Sequence, residues 1–383
     1  MIDCLGFRLL YTSVVIALLP RALGFPSQCH PVGIRALPSN SEPQIITGLY
    51  GNRTAAAQIV IHDAAGKASW SWSVHDGKNI SPDLRACLHD ACRAEGCSAT
   101  ENKWANDGDS VVAIYGSAAI IINHHPGRDT DKAVSFGVCL NRDNMQNTHS
   151  AEMLPDGKIA IATTSNDVTG NIKIFDIHRS RHVRAAPVQQ LDGIAAVHAL
   201  LWDDQRRVLW AAGNDRSPQA EGSTSILNAY KYAAGSFQAQ HESHVITNPT
   251  RLSTEWGFGT SWWNGPHAMT PVPHQRRLLI TTDLDVHIYD MDTRTFQHGE
   301  SVAQQYLKGF QPDGVRTGPD GVSLPRSDLK SIGFLENGNA LYVQAQWGQV
   351  FGKHVNHLSR GNKQPNLWDQ ILYRSRWFSQ TAW

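Results

Sequence analysis

The chain has 383 residues, and its 34 lysines and arginines are balanced by 34 aspartates and glutamates. Hydrophobic residues make up 41% and charged residues 18%, which is enough apolar material for a large core and too little charge for a disordered chain. With no net charge and no basic stripe, neither nucleic acid nor an anionic membrane is an expected partner.

Residues 1–24 read as a secretory signal peptide. Arg8 precedes an apolar run from Leu9 to Leu19, and Ala22-Leu23-Gly24 offers small residues for cleavage. The run is too short to cross ~30 Å of hydrocarbon, and no other segment is longer and more apolar. A secreted, extracellular protein without a membrane span is therefore expected, with an extended segment at 25–43 and one domain over 44–383. Cysteines support export, because an oxidising compartment pairs them. Cys87, Cys92, Cys97 and Cys139 are the disulfide candidates. His89 lies inside this group, but the C-x₄-C-x₄-C spacing departs from the paired C-x₂-C of zinc modules. Sequons at Asn52 and Asn79 point to a glycoprotein surface.

An internal repeat governs the rest. A His or Lys opens a short strand, a tight turn follows, and an apolar strand returns. The copies begin at Lys103, His149, His198, His267 and Lys330. His149-Ser-Ala-Glu-Met-Leu-Pro-Asp-Gly157 followed by Lys158 to Thr163 is the clearest, since Asp-Gly suits a hairpin whose central residues need positive φ. Third strands follow at Asn171–Asp176, Ile226–Tyr230 and Val286–Asp290. The starts are 46 (103 to 149), 49 (149 to 198), 69 (198 to 267) and 63 (267 to 330) residues apart. A four-stranded propeller blade takes ~40–50 residues, so the longer intervals carry insertions at 214–224, 240–265 and 300–328. Gln58–Asp63 and Ala68–Trp72 read as the second and third strands of a sixth blade, completed by Leu367 to Phe378. The expected fold is an all-β propeller with six blades, seven being the next choice, closed by pairing of N- and C-terminal segments. A β-sandwich with a long tail is the competing architecture.

The first strand of each blade lines the central channel. Lys103 with Trp104, His149, His198, His267, and Lys330 with Ser331 are thus expected around one mouth. Cationic groups facing one another repel, so a ring of them implies a ligand unless the histidines stay neutral and bond loop backbone. His149, His198 and His267 form a candidate ligand set for a divalent metal ion. Lys103 and Lys330 suit a carboxylate. Trp104, Trp262 and Trp263 are candidates for stacking on a sugar ring. No G-x-S-x-G elbow, P-loop, G-x-G-x-x-G or H-E-x-x-H motif is present.

The strand Ile59 to Asp63, the Trp70-Ser-Trp72 pair and the His149–Gly157 element resemble a family of secreted β-propellers of unknown function, over about residues 55–345. That resemblance implies the fold and no activity. Histidines at a propeller mouth are also similar, in architecture alone, to propeller-type polysaccharide lyases such as the oligogalacturonate and rhamnosyl-glucuronate lyases. The expected function is action on, or binding of, extracellular uronic-acid-containing glycans. In a lyase, a metal or lysine would neutralise the carboxylate while His149 or His198 served as base. A non-catalytic propeller binding a glycan or protein, and a structural secreted protein, are the alternatives. A monomer is expected.

Overall fold

The structure is a computed structural model that describes residues 43–52, 55–90, 98–141, 145–179, 183–256, 262–345 and 351–378. The expected signal peptide, Cys92 and Cys97 lie outside them. Six antiparallel four-stranded sheets stand in chain order. Blade one uses Leu372–Trp377 as its inner strand, followed outward by Ile45–Leu49, Gln58–His62 and Ala68–Trp72. The remaining blades start from inner strands Ala99–Ala105, Thr148–Leu154, Ala195–Asp203, Pro266–Pro271 and Leu329–Phe334. These six inner strands each touch the next, and Leu372–Trp377 touches both the blade-six and blade-two strands, so the ring closes.

Alternation explains why the sheets stack radially. Within a strand such as Ser110–Tyr115, residues facing one way pack on blade one and those facing the other way pack on blade three. Val111, Ala113 and Tyr115 join Ile59 and Trp72, whereas Val112 and Ile114 join Ile159 and Phe175. Both faces are buried, so the strands read as continuous apolar runs. Each neighbouring pair of blades has such a core, including the pair across the closure, where Leu341 and Val343 meet Ile45 and Leu372. Tight hairpins separate inner from second strands. Asp156 and Gly157 both have positive φ, at 60° and 64°, as the turn between Leu154 and Lys158 requires.

The closure is the one foreseen, but its phase differs. Gln58–His62 and Ala68–Trp72 are the third and fourth strands of blade one, because Ile45–Leu49 intervenes and pairs with Leu372–Trp377. Residues 240–245 are not inserted: they end the outer strand Ser236–Val245. The 300–328 insertion holds a helix, Glu300–Tyr306, and a small hairpin, Arg316–Thr317 with Ser323–Leu324.

Cys87 lies on a second helix, Pro82–Asp90, and not in a loop; it is disulfide-bonded to Cys139 at the end of the outer strand of blade two. That bond removes Cys87 from any zinc site. It closes a 52-residue separation around blade two. Such a link should stabilise the fold by about 2–4 kcal/mol. Cys139→Ser should therefore shift the denaturant midpoint downward, and an unchanged midpoint would mean that the link adds nothing to the folded state.

Candidate functional site

Each inner strand is interrupted near its start by a register shift. Thr148 pairs with Thr163 and Ser150 with Ala162, leaving His149 as the bulged residue. The same interruption leaves Thr100, His267 and Lys330 extra in their strands, and a wider one leaves His198 just before Ala199. In blade one, Leu372 pairs with Leu49 and Ser375 with Thr47, so Tyr373 and Arg374 together face Gly48. A Cβ on Gly48 would collide with the Ala99 carbonyl oxygen and the Asn102 amide, which is why glycine stands there. Bulges re-aim side chains: Thr100 bonds the Thr148 carbonyl, while the other five deliver His149, His198, His267, Lys330 and Tyr373 to one level of the channel.

These residues form a packed ring. Ring centroids lie 5.2 Å apart for Tyr373 and His149, 5.0 Å for His149 and His198, and 5.0 Å for His198 and His267. Lys330 Nζ is 3.0 Å from His267 Nε2 and 5.9 Å from the Tyr373 ring centroid, which completes the circuit. His149 donates from Nδ1 to the carbonyl of Asn147 at 2.8 Å, and His198 does so to Ala196 at 2.9 Å. A carbonyl only accepts, so both imidazoles carry their proton on Nδ1 and present Nε2 as an acceptor. Asn147 and Ala196 hold left-handed backbone, φ 56° and 47°. Non-glycine residues adopt it at a cost of about 1–3 kcal/mol, and such strain gathers at functional sites. Burial, then the Arg374 charge, pulls the His149 pKa down to about 3, and burial with the neighbouring His149 pulls His198 well below its ordinary value. Both rings are neutral.

His267 is turned the other way. Its Nε2 lies 2.8 Å from Asp283 Oδ1 and 3.2 Å from Asp328 Oδ1, while its buried Nδ1 has no partner among the described residues. Lys330 donates to Asp328 Oδ1 at 2.6 Å, and Arg316 pairs with Asp328 Oδ2 at 2.6 Å. Burial pulls the Lys330 pKa down, but Asp328, Tyr373 and Asp283 outweigh it, so the ammonium is held above its usual range. Among the described residues, His267, Asp283 and Asp328 form the one set of ligand atoms close enough to hold a metal. His149 and His198 do not belong to it.

One level further along the channel, Arg374 and Glu101 form an ion pair at 2.6 Å with both side chains fully buried. Arg374 also donates to the backbone carbonyls of His198 and His267, and Glu101 accepts from Ser150 and Arg376. Burial raises the Glu101 pKa, but Arg374, Arg376 and Lys103 outweigh it and hold it at about 2.

Lys103 is not in the histidine ring. Counting from each bulge, it stands three residues beyond Thr100, as Glu152 stands three beyond His149. Those two pair at 2.7 Å beyond the Arg374–Glu101 level, at the other mouth. The bulge adds a residue on the channel side, so Glu152 faces the channel despite an odd separation from His149. Trp104 goes with Lys103 and packs against Phe378 at 4.5 Å between centroids. Ser331 bonds the Ser375 backbone and closes the ring structurally. Trp262 and Trp263 are half-buried in a loop where Trp263 bridges Arg251. The sequence reading missed Tyr373, because its strand has no hairpin partner beside it, and missed Asp283, Asp328, Arg374 and Glu101. Asp328 did carry a signal: it precedes Lys330 by the interval that separates Asn147 from His149.

The fold and channel define a six-bladed β-propeller with a closed ring and a polar axis lined by buried charged side chains. The chain belongs to the DUF6528 family, a family of unknown function, whose profile matches residues 52–353. No curated protein matches it. Among solved structures it is similar to Kuenenia stuttgartiensis hydrazine synthase, at 12% identity and a TM-score of 0.43, over 83% of this chain and 79% of that one. A second likeness, to the structure of U3-55K, has 11% identity and a TM-score of 0.39, over 73% and 71%. Neither bears on function.

The buried charges give a pH dependence of definite sign. His149 has a folded pKa lowered to about 3 and His287 one lowered to about 4, so the unfolded chain takes up protons first. Their contribution is complete above the unfolded value of 6.5 and is lost as pH falls below it. Glu101 adds a loss between 4.5 and about 2. Denaturant midpoints should fall steadily from about pH 7 to pH 4, and His149→Gln should flatten the upper part of that slope. A pH-independent midpoint in wild type would contradict the buried-neutral arrangement.

Proposed function

We propose that the protein is a secreted glycan-binding propeller that recognises sugar hydroxyls at the histidine mouth of its channel and does not turn the glycan over. The observation that carries this reading is the shared tautomer of His149 and His198. With Nδ1–H committed to backbone, each leaves an Nε2 acceptor that no described residue meets. An acceptor of this kind takes a hydrogen bond from a neutral hydroxyl. Lys330 already has its charge paired with Asp328, so a uronate carboxylate would meet an ammonium that is compensated within the protein. Tyr50 and Phe351, with centroids 5.1 Å apart and Phe351 6.3 Å from Tyr373, supply aromatic faces for the apolar side of a sugar ring. A His149 pKa of about 3 makes a weak general base near neutrality, which argues against catalysis there.

Secretion is part of the proposal. The Cys87–Cys139 bond suits an oxidising compartment, and the sequon residues Asn52 and Asn79 are both exposed. Intact mass of protein collected from a eukaryotic culture medium should correspond to cleavage near Gly24 plus glycans. A mass that still includes Met1 would remove the secreted reading.

A second reading rests on His267, Asp283 and Asp328, which have the right chemistry for a divalent ion. It would require the Lys330 ammonium to leave, since Nζ sits 3.0 Å from His267 Nε2 and 2.6 Å from Asp328 Oδ1. A bound ion there would supply the electrophile of a uronate lyase. One experiment separates the two. Neutral and uronate-containing oligosaccharides are screened by calorimetry with chelator present, then with manganese. The binding reading expects an oligosaccharide to bind in chelator, with affinity falling at least about tenfold in His198→Phe, the loss of one good hydrogen bond. Metal-dependent formation of unsaturated uronate would favour the lyase, and no binding in either condition would remove both readings.

A further inference from the structure

The opposite mouth of the channel carries a separate cavity of about 190 Å³. Lys103, Glu152 and Arg376 meet there, walled by Leu201, Met269, Pro271, Ile332, Phe334, Trp104 and Trp377. The ionised side chains do not balance. Arg374, Arg376 and Lys103 are cationic and Glu101 and Glu152 anionic, and all five join one chain of contacts. Three positive charges against two negative ones leave one positive charge in a largely desolvated cluster, a costly state without a counter-ion.

The geometry also shows where the surplus is available. Arg374 is fully enclosed, and its donors reach Glu101 and two carbonyls. Lys103 is taken by Glu152 and by the Leu200 carbonyl at 2.8 Å. Arg376 differs: Nε and Nη2 engage Glu101, while Nη1 meets no described residue. Trp377, 5% exposed, and Trp104 line the same cavity, and their buried indole N–H groups lack partners among the described residues. A guanidinium donor without an acceptor, excess positive charge and apolar walls coincide.

We propose that this mouth is a binding site for a small monocarboxylate with an apolar body. The carboxylate would sit against Arg376 Nη1, and the body against Ile332, Phe334 and Met269. The volume is several times the ~30 Å³ of one water and below the ~300 Å³ of drug-sized pockets, which sets the size class at an aromatic acid or short fatty acid. The site lies beyond the Arg374–Glu101 plug from the histidine ring and does not depend on the glycan reading.

The probes are benzoate and hexanoate, with benzyl alcohol and hexylamine as uncharged and cationic controls, followed by thermal shift and tryptophan fluorescence. The expected result is saturable stabilisation by the acids alone. Glu152→Gln removes the carboxylate that competes for Lys103, so it should tighten benzoate binding about tenfold. Gly333→Leu should abolish it. A Cβ at Gly333 meets nothing closer than 3.7 Å, so the longer side chain enters the cavity without backbone strain. His198→Phe should leave benzoate binding unchanged, which keeps this site independent of the other mouth. Absence of any effect of either acid up to about 10 mM, a millimolar Kd being the weakest affinity of interest, would overturn the proposal. So would binding that survives Gly333→Leu in a folded protein, or weaker binding in Glu152→Gln.

Discussion

The ion pair between Arg374 and Glu101 holds the axis of this propeller together. Arg374 belongs to the last strand and Glu101 to the first inner strand of the next blade. Through the carbonyls of His198 and His267 and through Ser150, the pair also reaches blades three, four and five. A planar guanidinium with five fixed donors can address three acceptors at once, which a lysine in the same place would not do as well. Two ions this deeply buried are tolerable because each faces the other directly and takes further hydrogen bonds, Arg374 through both terminal nitrogens although its Nε meets no described residue. Losing one partner strands the other, typically at about 3–5 kcal/mol. The blades are thus joined by apolar cores at their flanks and by one charge network at their centre.

That network divides the channel into two chemically different ends. On one side, bulges present neutral imidazoles, and the Lys330 ammonium is compensated within its own cluster by Asp328 and Asp283. On the other, Arg376 and Lys103 share two carboxylates with Arg374 and keep a positive remainder. The difference follows from the phase of the repeat. Positions at the bulge carry His or Lys in four successive blades, while three residues further on they carry Lys103, Glu152, Leu201, Thr270, Gly333 and Arg376, which is a varied set. A repeated residue type around a ring makes a symmetric environment, and varied residues make an asymmetric cavity able to orient one ligand.

Much of this was legible before any coordinates. The recurrence of His or Lys ahead of a hairpin located four of the five ring residues, because a turn fixes register and register fixes phase. It misplaced Lys103 by three residues, since that blade's shorter first copy put the lysine nearer the turn at Asn106–Gly108. The bulged residue there is Thr100, which has neither charge nor imidazole to draw attention. Tyr373 and Arg374 were illegible for a different reason. The inner strand of blade one follows blade six in sequence and pairs with a strand over 300 residues away (377 − 45 = 332), so no local pattern announces what faces the channel. Carboxylate partners such as Asp283 sit at the ends of second strands, where sequence periodicity carries no information about convergence.

The split composition of blade one also imposes a timetable on synthesis. Ile45–Leu49 leaves the ribosome early, but the strand that covers its free edge is made 332 residues later, counting from Ile45 to its partner Trp377. At ~5–20 residues per second that interval is roughly 17 to 66 s. During it the nascent chain exposes an unpaired apolar edge, which is a template for pairing with the wrong neighbour. The plug residue Arg374 arrives with the same late strand, so blades two to five must wait with Glu101 unneutralised by its main partner. Closure of the ring therefore waits on Leu372–Trp377, and until that strand docks the edge of Ile45–Leu49 needs shielding.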